Sequence, residues 1–329
     1  MGETIKFWLH NARITALPQS LLPAITAVSM AYAESSFNGL LAFVAVLGIS
    51  LAHLSFNLFD DYFDYKKKGH DIRNQMSQGG MRARTGKCAY ITSGKATISQ
   101  LLLVASLFSF LALICGLVIF VKWGLPIIIF VLISGFLGIS YSAPPFKFSY
   151  RGLGEFVVAL LFGPLLMAGI YYASSGTINP LIWFVSIPIG LFVANILYTH
   201  DIMDFEADKK TGKKTLCVLL NNQKAIFTVS FLFIFLPYLF IAIGVFLHYL
   251  SYEYLLTYLT IPQSVMLYYL LWQFEKHPQK TFRIRWWMQP MERWEEIKKA
   301  GIEWFMIRWF LARNILIYFC VIIIIFCNK

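Results

Sequence analysis

Residues 38–64 read NGLLAFVAVLGISLAHLSFNLFDDYFD. The stretch 38–60 is apolar and long enough to cross a bilayer core as one helix, which takes about 20 residues. It ends in carboxylates. If the helix runs on, Asn57, Asp60, Asp61 and Asp64 recur at i, i+3, i+4 and i+7 and stack on one face. Acids at a membrane edge are costly and mark functional positions.

The pattern returns once. The apolar run 179–199 leads into HDIMDFEAD, residues 200–208, where Asp201, Asp204 and Asp208 repeat i, i+3 and i+7. Together with Asp71 these are all seven aspartates of the 329-residue chain. Like charges this close repel unless a cation neutralises them. Mg2+ takes oxygen ligands and bridges carboxylates to substrate phosphate. The cations just beyond the windows (Lys66, Lys67, Lys68, Arg73, Lys209, Lys210, Lys213 and Lys214) suit the remaining charge of a diphosphate.

Composition fixes the class. The chain is 58% hydrophobic and 14% charged, against roughly 25% charged in a soluble domain; its mean hydropathy is +0.64. Nine apolar runs are spanning candidates, near 15–33, 38–60, 98–121, 124–141, 153–174, 179–199, 223–248, 253–273 and 303–327. They are continuous rather than alternating, which excludes a β-barrel. The expectation is an all-α integral membrane protein, a single domain over 1–329 with about nine transmembrane helices around a central cavity. The five cysteines show no paired spacing and read as core residues. Residues 1–20 lack the early apolar core of a signal peptide and read as an amphipathic lead-in.

The net charge of +11 raises nucleic acid as a partner, but its distribution argues against one. With nine spans, 26 of the 28 Lys and Arg residues fall on one side and only Lys122 and Lys329 on the other. The positive-inside rule puts the rich side, the N-terminus and both acidic windows in the cytoplasm. The excess sets orientation and favours anionic lipid or diphosphate. Residues 274–302, with Trp286, Trp287, Trp294 and several cations, suit an amphipathic helix lying on the membrane. Arg308 and Arg313 fall inside the ninth run; either they snorkel to the inner head groups or that span starts later.

A third cytoplasmic loop, YSAPPFKFSYRGLGE (141–155), offers Tyr141 and Lys147 to a phosphate. Pro144-Pro145 stiffens it, and Gly152 and Gly154 permit a tight entry to the next helix.

These residues resemble the UbiA-type intramembrane aromatic prenyltransferases over nearly the whole chain to about 272. Asp60-Asp61-Tyr62-Phe63-Asp64, continuing to Asp71, is similar to the family's first signature, and Asp204 to Asp208 to its second. The 141–155 loop and NARITALPQSLLPA (11–24) also match. The resemblance is greatest to the branch acting on 1,4-dihydroxy-2-naphthoate in menaquinone synthesis. Two departures stand out: Asp60 replaces a usual asparagine, and Met203 stands where that branch often has arginine.

The resemblance implies a multi-pass enzyme of the bacterial inner membrane with a cytoplasm-facing site. It implies Mg2+, a polyprenyl diphosphate donor and an aromatic acceptor, with membrane lipid around it and no nucleic acid. Asp60, Asp61, Asp64, Asp204 and Asp208 are the implied catalytic residues, of which Asp60, Asp64, Asp204 and Asp208 hold metal. Asn57, Asp71, Asp201, Arg13, Tyr141, Lys147 and Lys213 are the implied substrate contacts. Other acceptors of the family (4-hydroxybenzoate, homogentisate, haem, a glycerol phosphate ether) stay open, as does a cation-coupled transporter, whose acids would bind the carried ion.

Overall fold

Capping chemistry sets the helix boundaries. In the computed structural model, which describes residues 2–66, 88–278 and 280–327, Thr97 Oγ1 accepts from Gln100 N at 3.2 Å while Gln100 Oε1 accepts from Thr97 N at 2.9 Å. This reciprocal pair satisfies two orphan amides at a helix start. Gly124, at φ 71°, ends that helix and Pro126 opens the next. Asp71, Lys67, Lys68 and Arg73 lie outside the described residues.

The helices are α1 (Gly2–Asn11), α2 (Pro18–Ala31), α3 (Gly39–Lys66), α4 (Ala89–Thr92), α5 (Ile98–Trp123) and α6 (Leu125–Ser140). Then come α7 (Gly154–Ser175, with a π turn at Leu161–Leu165), α8 (Leu181–Met203), α9 (Phe205–Lys210) and α10 (Leu216–Leu220). The last four are α11 (Gln223–Phe246), α12 (Ile261–Lys276), α13 (Trp294–Lys299) and α14 (Glu303–Ile322, extended by a π turn Ile323–Cys327). No strand occurs among the described residues; a single bridge joins Arg151 to Lys214.

Six of these helices, α3, α5, α7, α8, α11 and α14 with its extension, are long and apolar enough to cross a membrane. The other three expected spans are helical but shorter: α2 has 14 residues, α6 has 16, and α12 has 16 after a 3-10 stretch Tyr252–Thr260. Lipid-facing surface is plain on α5, where Leu103, Phe110, Leu117 and Val121 are 60–81% exposed. A soluble monomer rarely displays such a contiguous apolar stripe.

The axis of the bundle is α8. Two thirds of its apolar window is buried (67%), against 17% for α5. α7 approaches it backbone to backbone: a Cβ on Gly163 would collide with the Ser186 carbonyl, and one on Gly190 with the Ala159 carbonyl. That contact fixes the start of α7, and the loop before it, against the end of α8.

A space of about 280 Å³ opens between α3, α5, α6 and α7, with α2 contributing Ser20. Packing bears on two expectations. The segment 274–302 is not one interfacial helix: it holds a 3-10 turn (Trp286–Met288), the six-residue α13 and extended chain, and buries Met288, Met291 and Ile297 in the main core. Nor does Arg308 snorkel. It is fully buried, its Nε donates to the Leu270 carbonyl at 2.9 Å, and its guanidinium lies 5.0 Å from the Phe274 ring.

Candidate active site

Nothing between Asn57 and Lys66 breaks a helix, so α3 carries its acids past the apolar run. Asp61 and Asp64 are buried, at 3% and 8% exposure. Burying a charge requires partners, and several segments supply them. Arg13, in the left-handed conformation (φ 59°) just before α2, donates to Asp60 Oδ2 at 3.3 and 3.4 Å and also to Asp61. The Ser142 hydroxyl donates to Asp60 Oδ1 at 2.5 Å, and the Tyr150 hydroxyl to Asp64 Oδ1 at 2.5 Å. Tyr90 donates to Asp61 Oδ2 at 3.1 Å.

The electrostatics follow from this packing. The protein around Arg13 would by itself lower its pKa; Asp61 and Asp60 outweigh that and raise it above the ordinary value. Burial, followed by the Asp61 charge, raises the Tyr90 pKa, so the phenol stays a hydrogen-bond donor.

The second window is built differently from the expected continuous stripe. α8 stops at Met203, and Asp204 (φ −96°, ψ 8°) ends it and opens α9. Asp201, Asp204 and Asp208 are nevertheless all buried. Lys213 Nζ lies 3.9 Å from Asp208 Oδ2. Glu155, in the first turn of α7 and 1% exposed, lies beside Asp201. Glu155 Oε1 has no hydrogen-bond partner among the described residues.

The loop 141–153 ties the two windows together. Ser142 and Tyr150 bind the first. Arg151 bridges to Lys214, just beyond the second. Gly152, at φ 70°, sits so close to α10 that a Cβ would collide with Leu219. Tyr141 stands within electrostatic reach of Asp60 and Asp64 on one side and Asp201 and Glu155 on the other.

Not every expected contact falls in this group. Asn57 Nδ2 donates to the Ala12 carbonyl at 3.0 Å, a tie that holds the Arg13 turn against α3. Lys147 occupies a left-handed turn position (φ 47°), and no ion pair joins it to either window among the described residues. Asp71 lies outside the described residues. Conversely, Glu155, Ser142, Tyr150 and Tyr90 were not singled out from sequence.

The donor set suits a hard divalent ion. All the acids offer oxygen, Arg13 already seats a cationic group between Asp60 and Asp61, and Glu155 Oε1 is an unused buried acceptor. Among the described residues no three acid, histidine or cysteine side chains gather closely enough to enclose an ion. Mg2+ does not need that: it is commonly held by one or two carboxylates, with waters and substrate phosphates completing the shell.

The family model described as the UbiA prenyltransferase family matches residues 20–294. The chain belongs to the UbiA prenyltransferase family. Its UbiA relatives include a 1,4-dihydroxy-2-naphthoate octaprenyltransferase of Haemophilus influenzae, 29% identical over 68% of this chain and 72% of the relative. A 2-carboxy-1,4-naphthoquinone phytyltransferase of Synechocystis is 28% identical over 84% of this chain and 86% of the relative. Among solved structures, a UbiA homologue from Aeropyrum pernix superimposes with a TM-score of 0.66 at 13% identity, over 95% of this chain and 98% of that one. One from Archaeoglobus fulgidus bound to DMAPP and Mg2+ gives 0.59 at 17%, over 97% and 99%. At these identities the structures establish the shared UbiA fold. The chain is a UbiA-type prenyltransferase.

One consequence concerns Tyr150. Removing the hydroxyl in Tyr150→Phe leaves the ring in place and strips Asp64 of a 2.5 Å donor. Hydrogen bonds to charged groups contribute about 1.5–3 kcal/mol. The expected result is a fall in kcat/KM of about tenfold or more with little change in the melting temperature in detergent. An unchanged rate would show that Tyr150 does not hold Asp64 for catalysis.

Proposed function

We propose that this enzyme transfers a polyprenyl group from a polyprenyl diphosphate to an aromatic acceptor, 1,4-dihydroxy-2-naphthoate, on the cytoplasmic side of a bacterial inner membrane, in menaquinone synthesis. The carrying observation is the arrangement of the two acidic windows on one loop, with Tyr141 in reach of both. The naphthoate and naphthoquinone relatives support the acceptor. The Lys and Arg asymmetry supports nine spans and a cytoplasmic N-terminus.

Asp60, Asp61 and Asp64 on one side and Asp204 and Asp208 on the other would hold Mg2+, with Asp201 beside them. When bound, that ion neutralises diphosphate charge as the allylic C–O bond ionises. Arg13, paired with the first window, and Lys213, paired with the second, would orient the diphosphate between the windows. Ser142, Tyr150 and Tyr90 keep the α3 carboxylates in fixed rotamers, so the electrostatic field is set before substrate arrives. Tyr141 caps the gap between windows, where it excludes water from the departing group. The apolar cavity of about 280 Å³ beneath α3's acids would keep water from the reacting carbon and from the ring that it joins.

The test is turnover of purified protein in detergent with Mg2+, a long-chain prenyl diphosphate and a panel of aromatic acids. Prenylated naphthoate is the expected product. Product with another acceptor alone replaces the acceptor assignment. No product with any acceptor, together with ion uptake in liposomes, replaces the enzyme reading with a transporter.

A further inference from the structure

His53 is the one imidazole of the apolar cavity. The described lining residues include this one histidine and no carboxylate, lysine or arginine. It lies four residues before Asn57 and seven before Asp60, on the same face of α3. At 1.5 Å per residue it sits roughly 10–12 Å deeper than Asp60 and Asp61. Its ring is packed edge-on against Phe162, centroids 5.1 Å apart.

Local hydrogen bonds admit a tautomer that carries its hydrogen on Nδ1. His53 Nδ1 is 2.7 Å from Ser20 Oγ, and Ser20 Oγ also donates to the Leu17 carbonyl at 3.1 Å. A serine hydroxyl has one hydrogen. With that hydrogen given to Leu17, the Ser20 oxygen accepts from Nδ1–H. In the neutral ring Nε2 then carries the lone pair. The cavity's serines do not answer it: Ser20 is engaged as described, Ser109 pairs with Ser55 at 2.7 Å, and no hydrogen bond joins Ser134 to the ring. A buried acceptor without a donor is costly, so the position favours a ligand that brings an O–H.

We propose that His53 reads the ring hydroxyl of the aromatic acceptor, Nε2 accepting its hydrogen bond and so choosing which ring carbon faces the prenyl group. This rests on the prenyltransferase reading above. A cavity of ~150 Å³ holds benzene, so about 280 Å³ admits a two-ring acceptor, whereas a prenyl tail offers no hydrogen-bonding group to justify a fixed imidazole. The depth also fits: diphosphate at the acids, the reacting prenyl carbon below it, the ring below that and the hydroxyl at His53. The hydrogen bond strengthens as the attacking ring draws electrons from its oxygen, so it favours the transition state over the ground state.

The experiment crosses enzyme and acceptor. Wild type, His53→Gln and His53→Leu are assayed with 1,4-dihydroxy-2-naphthoate and with its two mono-methyl ethers. Sites built to bond a hydroxyl reject analogues lacking it strongly, so wild type is expected to prefer the free hydroxyl by about 100-fold in kcat/KM over one of the ethers. His53→Leu is expected to lose about 50-fold with the dihydroxy acceptor, to stay within about threefold of wild type with that ether, and to keep the KM for prenyl diphosphate. His53→Gln, whose carbonyl still accepts, retains about a tenth of the rate and the hydroxyl preference; if His53→Leu does not fold, this variant carries the comparison. Equal losses with the hydroxyl and both ethers, or a raised prenyl diphosphate KM, overturn the assignment. Wild type that prenylates no aromatic at all overturns the functional reading itself, before any variant is made.

Discussion

Chelation with EDTA is expected to abolish prenyl transfer, and millimolar Mg2+ to restore it. The argument is electrostatic. Asp61, Asp64, Asp201, Asp204, Asp208 and Glu155 are all buried, while Arg13 and Lys213 supply the described ion pairs of the two windows. A diphosphate adds several negative charges to this group, and they can enter only with compensating cations. Because no three described ligands enclose an ion, metal and diphosphate should each complete the other's site. Mg2+ alone should therefore raise the melting temperature little. Mg2+ with a non-hydrolysable prenyl diphosphate should raise it by several degrees, since a ligand at about 100 times its Kd adds about 2.7 kcal/mol. Ca2+ should substitute poorly, being larger and preferring more ligands. Full turnover in EDTA would assign diphosphate neutralisation to Arg13 and Lys213 instead.

The parts of this site that were legible in sequence are those that periodicity encodes. The face holding Asn57, Asp60, Asp61 and Asp64 follows from a helix that has no reason to stop before Lys66. The second window misled because i, i+3, i+7 spacing does not say where a helix ends. The signal was present: aspartate favours helix caps, and Asp204 takes that position between α8 and α9. Glu155 was hidden by attention to aspartates, although it closes the quoted loop. Ser142, Tyr150 and Tyr90 are hydroxyl residues outside the long helices, and nothing in local pattern distinguishes one that will meet a carboxylate. Residues 274–302 read as interfacial from composition; composition does not reveal that Met288 and Met291 would find room in the core. Arg308 is the same lesson reversed: its burial depends on the Leu270 carbonyl and the Phe274 ring of another helix.

Asp64→Asn and Asp208→Asn are expected to lower turnover at least about 1000-fold, an effect of about 4 kcal/mol on the barrier, while the protein stays folded. Asparagine keeps the shape of aspartate and an oxygen that can accept from Tyr150, so packing at Asp64 survives. What is lost is charge. In a merely structural acid that loss would destabilise the fold, because a partner cation would be stranded. In a site of mutually repelling carboxylates it relieves repulsion, and Lys213, the partner of Asp208, still has Asp201 nearby, so the melting temperature without metal should hold or rise. Asp60→Asn provides the contrast. Asp60 is more exposed than Asp61, at 13% against 4% for the side chains. It should cost only about tenfold, with Arg13 keeping Asp61 as its partner. Paired measurements of kcat, Mg2+ dependence and thermal unfolding on the three variants decide the matter. Turnover within tenfold of wild type in both Asp64→Asn and Asp208→Asn would remove these acids from the chemistry and leave the convergence of the two windows a feature of folding alone.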